Sequence, residues 1–129
     1  MKLTPLDSLF AKYIKLKSGA EYQEYDGRKY LFGNCEYCGQ WAILQCSHLH
    51  GRARRTTRYD EDNVSSICGG CHKYLDDHPP AHVDWFKKRL GSDKFEQLSI
   101  RSEKTIKELS IDYDALEQEF KEGIRKLEG

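Results

Sequence analysis

A chain of 129 residues, 33% charged and 38% hydrophobic, has room for one domain with a small apolar core. No window comes near eighteen consecutive apolar residues, so no membrane-spanning helix is expected, and the N-terminus MKLTPLDSLFAKYIK lacks the apolar stretch of a secretory signal, so a cytoplasmic protein is expected. The formal charge is zero, but Ser47 to Arg58 carries four arginines, two histidines and no acid, a local patch that an anionic polymer would feel.

Taken in chain order, Thr4 as cap and Pro5 at the first helical position open a helix over about 5–18. Leu6, Leu9, Phe10, Tyr13 and Ile14 recur along it at helical steps, and Gly19 stops it. The tyrosine-rich segment from Glu21 to Phe32 reads as a loop or a short strand. Trp41 to His48 is a short apolar run closed by polar residues, as expected of a strand. Asp60 to Asn63 forms a turn, Val64 to Ile67 a second strand, and Gly69-Gly70 leads into a helix starting near Cys71. Two strands and a helix make a ββα unit within a core over about 30–78.

A helical region follows over about 80–128. Val83, Phe86, Leu90 and Trp85 share a face that ends at Gly91, and Ser92 caps a further turn or two with Phe95 and Leu98. Ile106, Leu109, Tyr113, Leu116, Phe120, Ile124 and Leu127 step by three or four, with Asp112 as a fresh cap. This last helix could pair with a second copy in a homodimer, although packing on its own domain is the simpler use. The fold class is therefore α+β, one domain over 1–129: a small ββα core between an N-terminal helix and C-terminal helices.

Four of the five cysteines fall in two Cys-x-x-Cys pairs, Cys35/Cys38 and Cys68/Cys71. Without an export signal a disulfide framework is unexpected, and paired knuckles supply the four thiolates of a tetrahedral zinc site. A closed four-cysteine site has no open coordination position, so its zinc is structural and stands in for a core too small to hold the fold. Cys46 reads as a small apolar strand residue. Between and beyond the knuckles lie His48 at a strand end, Asn63 before the next strand, and His72 directly after the last cysteine.

The segments CEYCG, CSHLHGR and DEDNVSSICGGCHKYL resemble the HNH, or ββα-metal, endonuclease superfamily with an added four-cysteine zinc site. The flanking helices widen the likeness to phage lambda NinG/Rap-type recombination proteins. The resemblance implies a metal-dependent endonuclease that hydrolyses DNA phosphodiester bonds on branched or displaced-strand DNA, in a bacteriophage-infected host cell. It implies His48 as the general base that takes a proton from water, Asn63 as the residue that shapes the loop and orients the base, and His72 as a ligand of one divalent ion (magnesium, manganese, nickel or zinc). Family members commonly carry Asp or His before the base, and this chain has Ser47, so further ligands are sought among His50, His78 and Asp76. Arg52, Arg54, Arg55 and Arg58 are expected to contact DNA phosphates. The competing expectation is a non-catalytic zinc-stabilised DNA-binding module, which Ser47 favours; a helical interaction protein is a third.

Overall fold

A computed structural model describes residues 2–129. Helix α1 (Pro5–Lys17) begins where expected: the Thr4 side chain accepts from the Asp7 amide while the Asp7 carboxylate takes the Thr4 amide, a reciprocal cap. Strands β1 (Glu21–Tyr25) and β2 (Arg28–Asn34) form an antiparallel hairpin. Its turn is Asp26-Gly27, with φ of 52° and 78°. Those left-handed conformations suit Asp-Gly and match the twist of the flanking strands. The tyrosine-rich segment is thus paired strand, not loop.

Strands β3 (Trp41–His48) and β4 (Val64–Cys68) complete a four-stranded antiparallel sheet in sequence order. Alternation along β3 sends Leu44, Cys46 and His48 to one face and Gln45 and Ser47 to the other. On the first face lies α1, where Phe10, Ile14, Cys46, Val64 and Phe120 form one apolar cluster and Leu16, Ala20, Leu31, Leu44 and Ile124 another. Cys46 is buried, and burial pushes its thiol up to about 12, so it behaves as the expected small apolar residue.

The opposite face of β4 is covered by helix α2 (Gly69–Asp77), with Ile67, Leu75 and Cys35 packed together. Helix α3 (Pro79–Leu90) adds Ala81 and Trp85 to that cluster, and Gly91 ends it at φ 85°. Helix α4 (Ser92–Ser102) runs 11 residues, longer than the one or two turns its sparse apolar positions predict. Arg101 on α4 donates to Asp60 at 2.7 Å and to Asp62 at 3.2 Å, which ties that helix to the turn before β4.

A short α5 (Ile106–Leu109) and α6 (Tyr113–Glu128) close the chain, the latter capped by Asp112 as expected. The two ends of the chain meet here. Phe120 of α6 stacks on Tyr13 of α1 with ring centroids 5.4 Å apart, and a side chain at Gly123 would stand 2.3 Å from the Tyr13 ring, so only glycine permits this approach. The apolar face of α6 thus packs on α1, with Phe120 and Ile124 in the two clusters beneath that helix. No helix among the described residues is long and apolar enough to cross a membrane.

Candidate metal centre and the histidines beside it

The two knuckles converge as their spacing requires. Cys35 and Cys38 lie in the turn between β2 and β3, Cys68 ends β4, and Cys71 sits in the first turn of α2. The four sulfurs all lie within 4.8 Å of one another, the one such group among the described residues. Burial alone would raise the Cys35 thiol, but backbone amides near its sulfur, that of Cys38 at 3.5 Å among them, bring it down to about 7. Thiolate character at neutral pH is what a zinc or similar thiophilic ion takes. Four soft donors at tetrahedral-scale separation fit a structural zinc.

His48 ends β3 on the α1 face, its ring centroid 6.3 Å from that of Phe10. Its Nε2 lies 2.9 Å from the Arg58 carbonyl oxygen. A carbonyl can only accept, so Nε2 carries the proton and, in the neutral ring, Nδ1 the lone pair. Burial pulls the imidazole down to about 4. The side chain that meets His72 across the unit is not His48 but Gln45, whose parity on β3 turns it towards α2. His48 nonetheless lines a cavity of about 240 Å³ with Asp76 and His82.

Asn63 is fully buried and laces the loop after β3 to the turn before β4. Its Oδ1 accepts from the His50 amide at 2.8 Å, while its Nδ2 donates to the carbonyls of His50 and Thr57, each at 2.9 Å. Three bonds from one amide leave the loop between these residues little freedom at its ends.

His72 donates from Nδ1 to Gln45 Oε1 at 2.7 Å, which leaves its Nε2 as an electron-pair donor in the neutral ring. That nitrogen lies 3.4 Å from Asp76 Oδ2. Two donors of electron pairs do not face each other at that distance without a proton or a cation between them. Of the other expected ligands, His78 donates from Nδ1 to the Tyr74 carbonyl at 2.8 Å and stacks on the Tyr74 ring, so it turns back along its own helix. His50 has a buried Nε2 with no hydrogen-bond partner.

The arginines divide. Arg58 is buried and holds Asp7 through two hydrogen bonds, Nε to Oδ1 at 2.9 Å and Nη2 to Oδ2 at 2.6 Å. Burial would raise the Asp7 carboxyl, but the hydrogen bonds from Arg58 and Thr4 hold it well below the usual carboxylate range. Arg58 therefore ties the loop to α1, with its guanidinium engaged by the Asp7 carboxylate. Arg52 stands 3.9 Å from Asp7, and Arg54 pairs with Glu103 at 3.2 Å on the surface. Arg55 is exposed and has no ion pair among the described residues.

Sequence reasoning passed over Gln45 and His82. The second carries a signal: it lies four residues before Phe86, on the buried face of α3, where a histidine is out of place. No protein-family model, curated protein or solved structure matches the chain. The fold and site define a mixed α+β protein with a four-cysteine cluster able to hold a metal ion such as zinc.

Proposed function

We propose that the chain is a metal-dependent DNA endonuclease of the HNH type, acting on branched or displaced-strand DNA in phage-type recombination. The observation that carries this reading is the His72 Nε2–Asp76 Oδ2 pair, 3.4 Å apart beside the zinc clamp. That pair places one imidazole and one carboxylate oxygen where a divalent ion could join them. His48 and Asn63 add to it: one imidazole held neutral with a defined tautomer, and one amide fixing the loop that follows it.

In the proposed reaction, His48 Nδ1 takes a proton from water as the water oxygen attacks the phosphorus and the bond to the leaving oxygen breaks. The Nε2–H bond to the Arg58 carbonyl holds the ring in place and steadies the imidazolium that forms. A base near pKa 4 is weak at rest, and an anionic phosphate beside it raises that value. A divalent ion on His72 and Asp76 would offset the charge on the phosphate and on the leaving oxygen. Arg52, Arg54 and Arg55 would draw in the DNA backbone.

The test is cleavage of supercoiled plasmid and of a four-way junction by zinc-loaded protein, with magnesium, manganese, nickel and zinc compared. Wild type should nick, and His48→Ala should lose about two to four orders of magnitude in rate with DNA affinity unchanged. If wild type binds DNA but cuts neither substrate with any metal, the zinc-stabilised DNA-binding module takes its place. The buried Ser47 hydroxyl, where a carboxylate ligand is commonly found, fits that outcome.

A further inference from the structure

His82 is 4% exposed, and its Nε2 is buried without a hydrogen-bond partner. Polar groups sealed at that depth are nearly always paired, so an unpaired imidazole nitrogen calls for a ligand. Its ring packs edge-on against Phe86, 5.3 Å between centroids, which fixes its direction. The residue lines the cavity of about 240 Å³ that His48, Leu75, Asp76 and Val83 share. The charged and titratable groups that face it are Asp76 and His72 from α2 and His50 from the loop after β3.

We infer that His82 Nε2 is the third protein ligand of a divalent transition-metal ion held on the His72–Asp76 pair. This rests on the proposed function in one respect, that the ion concerned is the catalytic one. Helix α3 thereby supplies what Ser47 does not: the Ser47 hydroxyl is fully buried, neutral and a poor metal ligand. His72 Nε2 and Asp76 Oδ2 already stand at 3.4 Å, close to the separation of two ligands on one ion. The three donor atoms do not all lie within 4.8 Å as the sulfurs do. Closing that gap falls to His72 and Asp76, whose side chains are 27% and 55% exposed and have room to move, while His82 stays fixed.

The donor set also selects the metal. Two imidazoles and one carboxylate suit manganese, cobalt, nickel or zinc, whereas magnesium favours oxygen ligands and keeps its waters. Two of the three residues, Asp76 and His82, line the same cavity as His48, so an ion held there would supply its charge beside the proposed base.

Zinc-loaded protein titrated with cobalt(II), followed by calorimetry and visible absorption, tests the inference. One ion beyond the structural zinc should bind with the ligand-field bands of nitrogen and oxygen donors. Sulfur-to-cobalt charge-transfer bands should be absent, since they would report zinc displacement from the cysteines. His82→Phe, which suits the apolar pocket, and Asp76→Asn should each weaken cobalt by about tenfold or more. In cobalt-loaded wild type, the His82 ring protons should show large paramagnetic NMR shifts, a readout that needs no variant to fold. A folded His82→Phe protein with wild-type affinity, unshifted His82 protons, or no ion beyond zinc overturns the inference. If cobalt binds through His82 but no DNA is cut, the site stands and the nuclease reading falls. If DNA is cut while His82→Phe binds cobalt normally, the reverse holds.

Discussion

One nine-residue helix, α2, carries parts of two groups of metal-type side chains that are built by different means. The cysteines meet because each knuckle is a local turn: Cys35 and Cys38 share one, Cys68 and Cys71 another, and the β3–β4 pairing brings the turns together. Their four sulfurs gather within 4.8 Å. The imidazole and carboxylate donors come from two helices, and only His72 and Asp76, one turn apart, are close. The four sulfurs are brought together by local turns and strand pairing, whereas the proposed histidine–carboxylate donors join residues of two helices, of which only His72 and Asp76 already meet. The first suits a structural role and the second an exchangeable one.

The sharpest way to break this contrast is to remove a sulfur. Cys68→Ser, or stripping zinc with a strong chelator, should abolish the cooperative thermal transition, because the cysteines replace a large share of a small core. Cys46→Ser, in the α1-side core and away from the ion, should cost only about 1 kcal/mol. A Cys68→Ser protein that melts like wild type would make the cysteine centre dispensable. The histidine side should respond far less: removing His72 leaves every cysteine in place, and the circular dichroism spectrum should not change.

Asn63→Ala comes next. The change strands the His50 amide and the carbonyls of His50 and Thr57, at about 1 kcal/mol or more for each group that water cannot reach, so a loss on the order of 3 kcal/mol is expected in urea unfolding. Cleavage should fall with it, because the loop after His48 loses its tie. His48 makes a pH-dependent contribution of similar size. Its folded pKa is depressed from the ordinary 6.5 to about 4, so between those values the unfolded chain binds the proton that the folded chain refuses. Stability should therefore be full above pH 6.5 and decline as pH falls towards 4, by up to about 3 kcal/mol. In His48→Ala this part of the acid slope should vanish; a slope equal to that of wild type would assign it elsewhere.

Features set by neighbours along the chain are legible in the sequence itself: the Thr4–Pro5 start of α1, the knuckles, the strand–strand–helix order and the Asp112 cap. Features that depend on distant partners are not. Every residue of β1 is exposed, so its alternation carries no burial signal, although Asp26-Gly27 does mark the turn. The full length of α4 is hidden because few of its residues are buried, Leu98 chief among them. Arg58 looks like its three neighbours until Asp7, 51 residues away, is found against it. His82 sits among apolar residues and has no motif partner nearby in the chain, so only its depth and its unpaired nitrogen single it out.

The smallest expected effect concerns the arginines. Charge counting treats all four alike, but only an arginine without a carboxylate partner can offer its full charge to a phosphate. Arg58 holds Asp7 in the interior, so removing it would report on folding and not on DNA. Arg54 must first give up Glu103, a surface contact at 3.2 Å that contributes little. Arg55 has no such partner among the described residues, so Arg55→Ala should leave the thermal midpoint unchanged and weaken DNA binding. Each phosphate contact releases about one counterion from duplex DNA, so the slope of log affinity against log salt should flatten by about 0.9. Arg54→Ala should flatten it less, since Glu103 already offsets part of that charge. Measuring both slopes on a duplex of fixed length separates a steering patch from a solvated loop: equal slopes in wild type and Arg55→Ala would leave the loop without a role in binding.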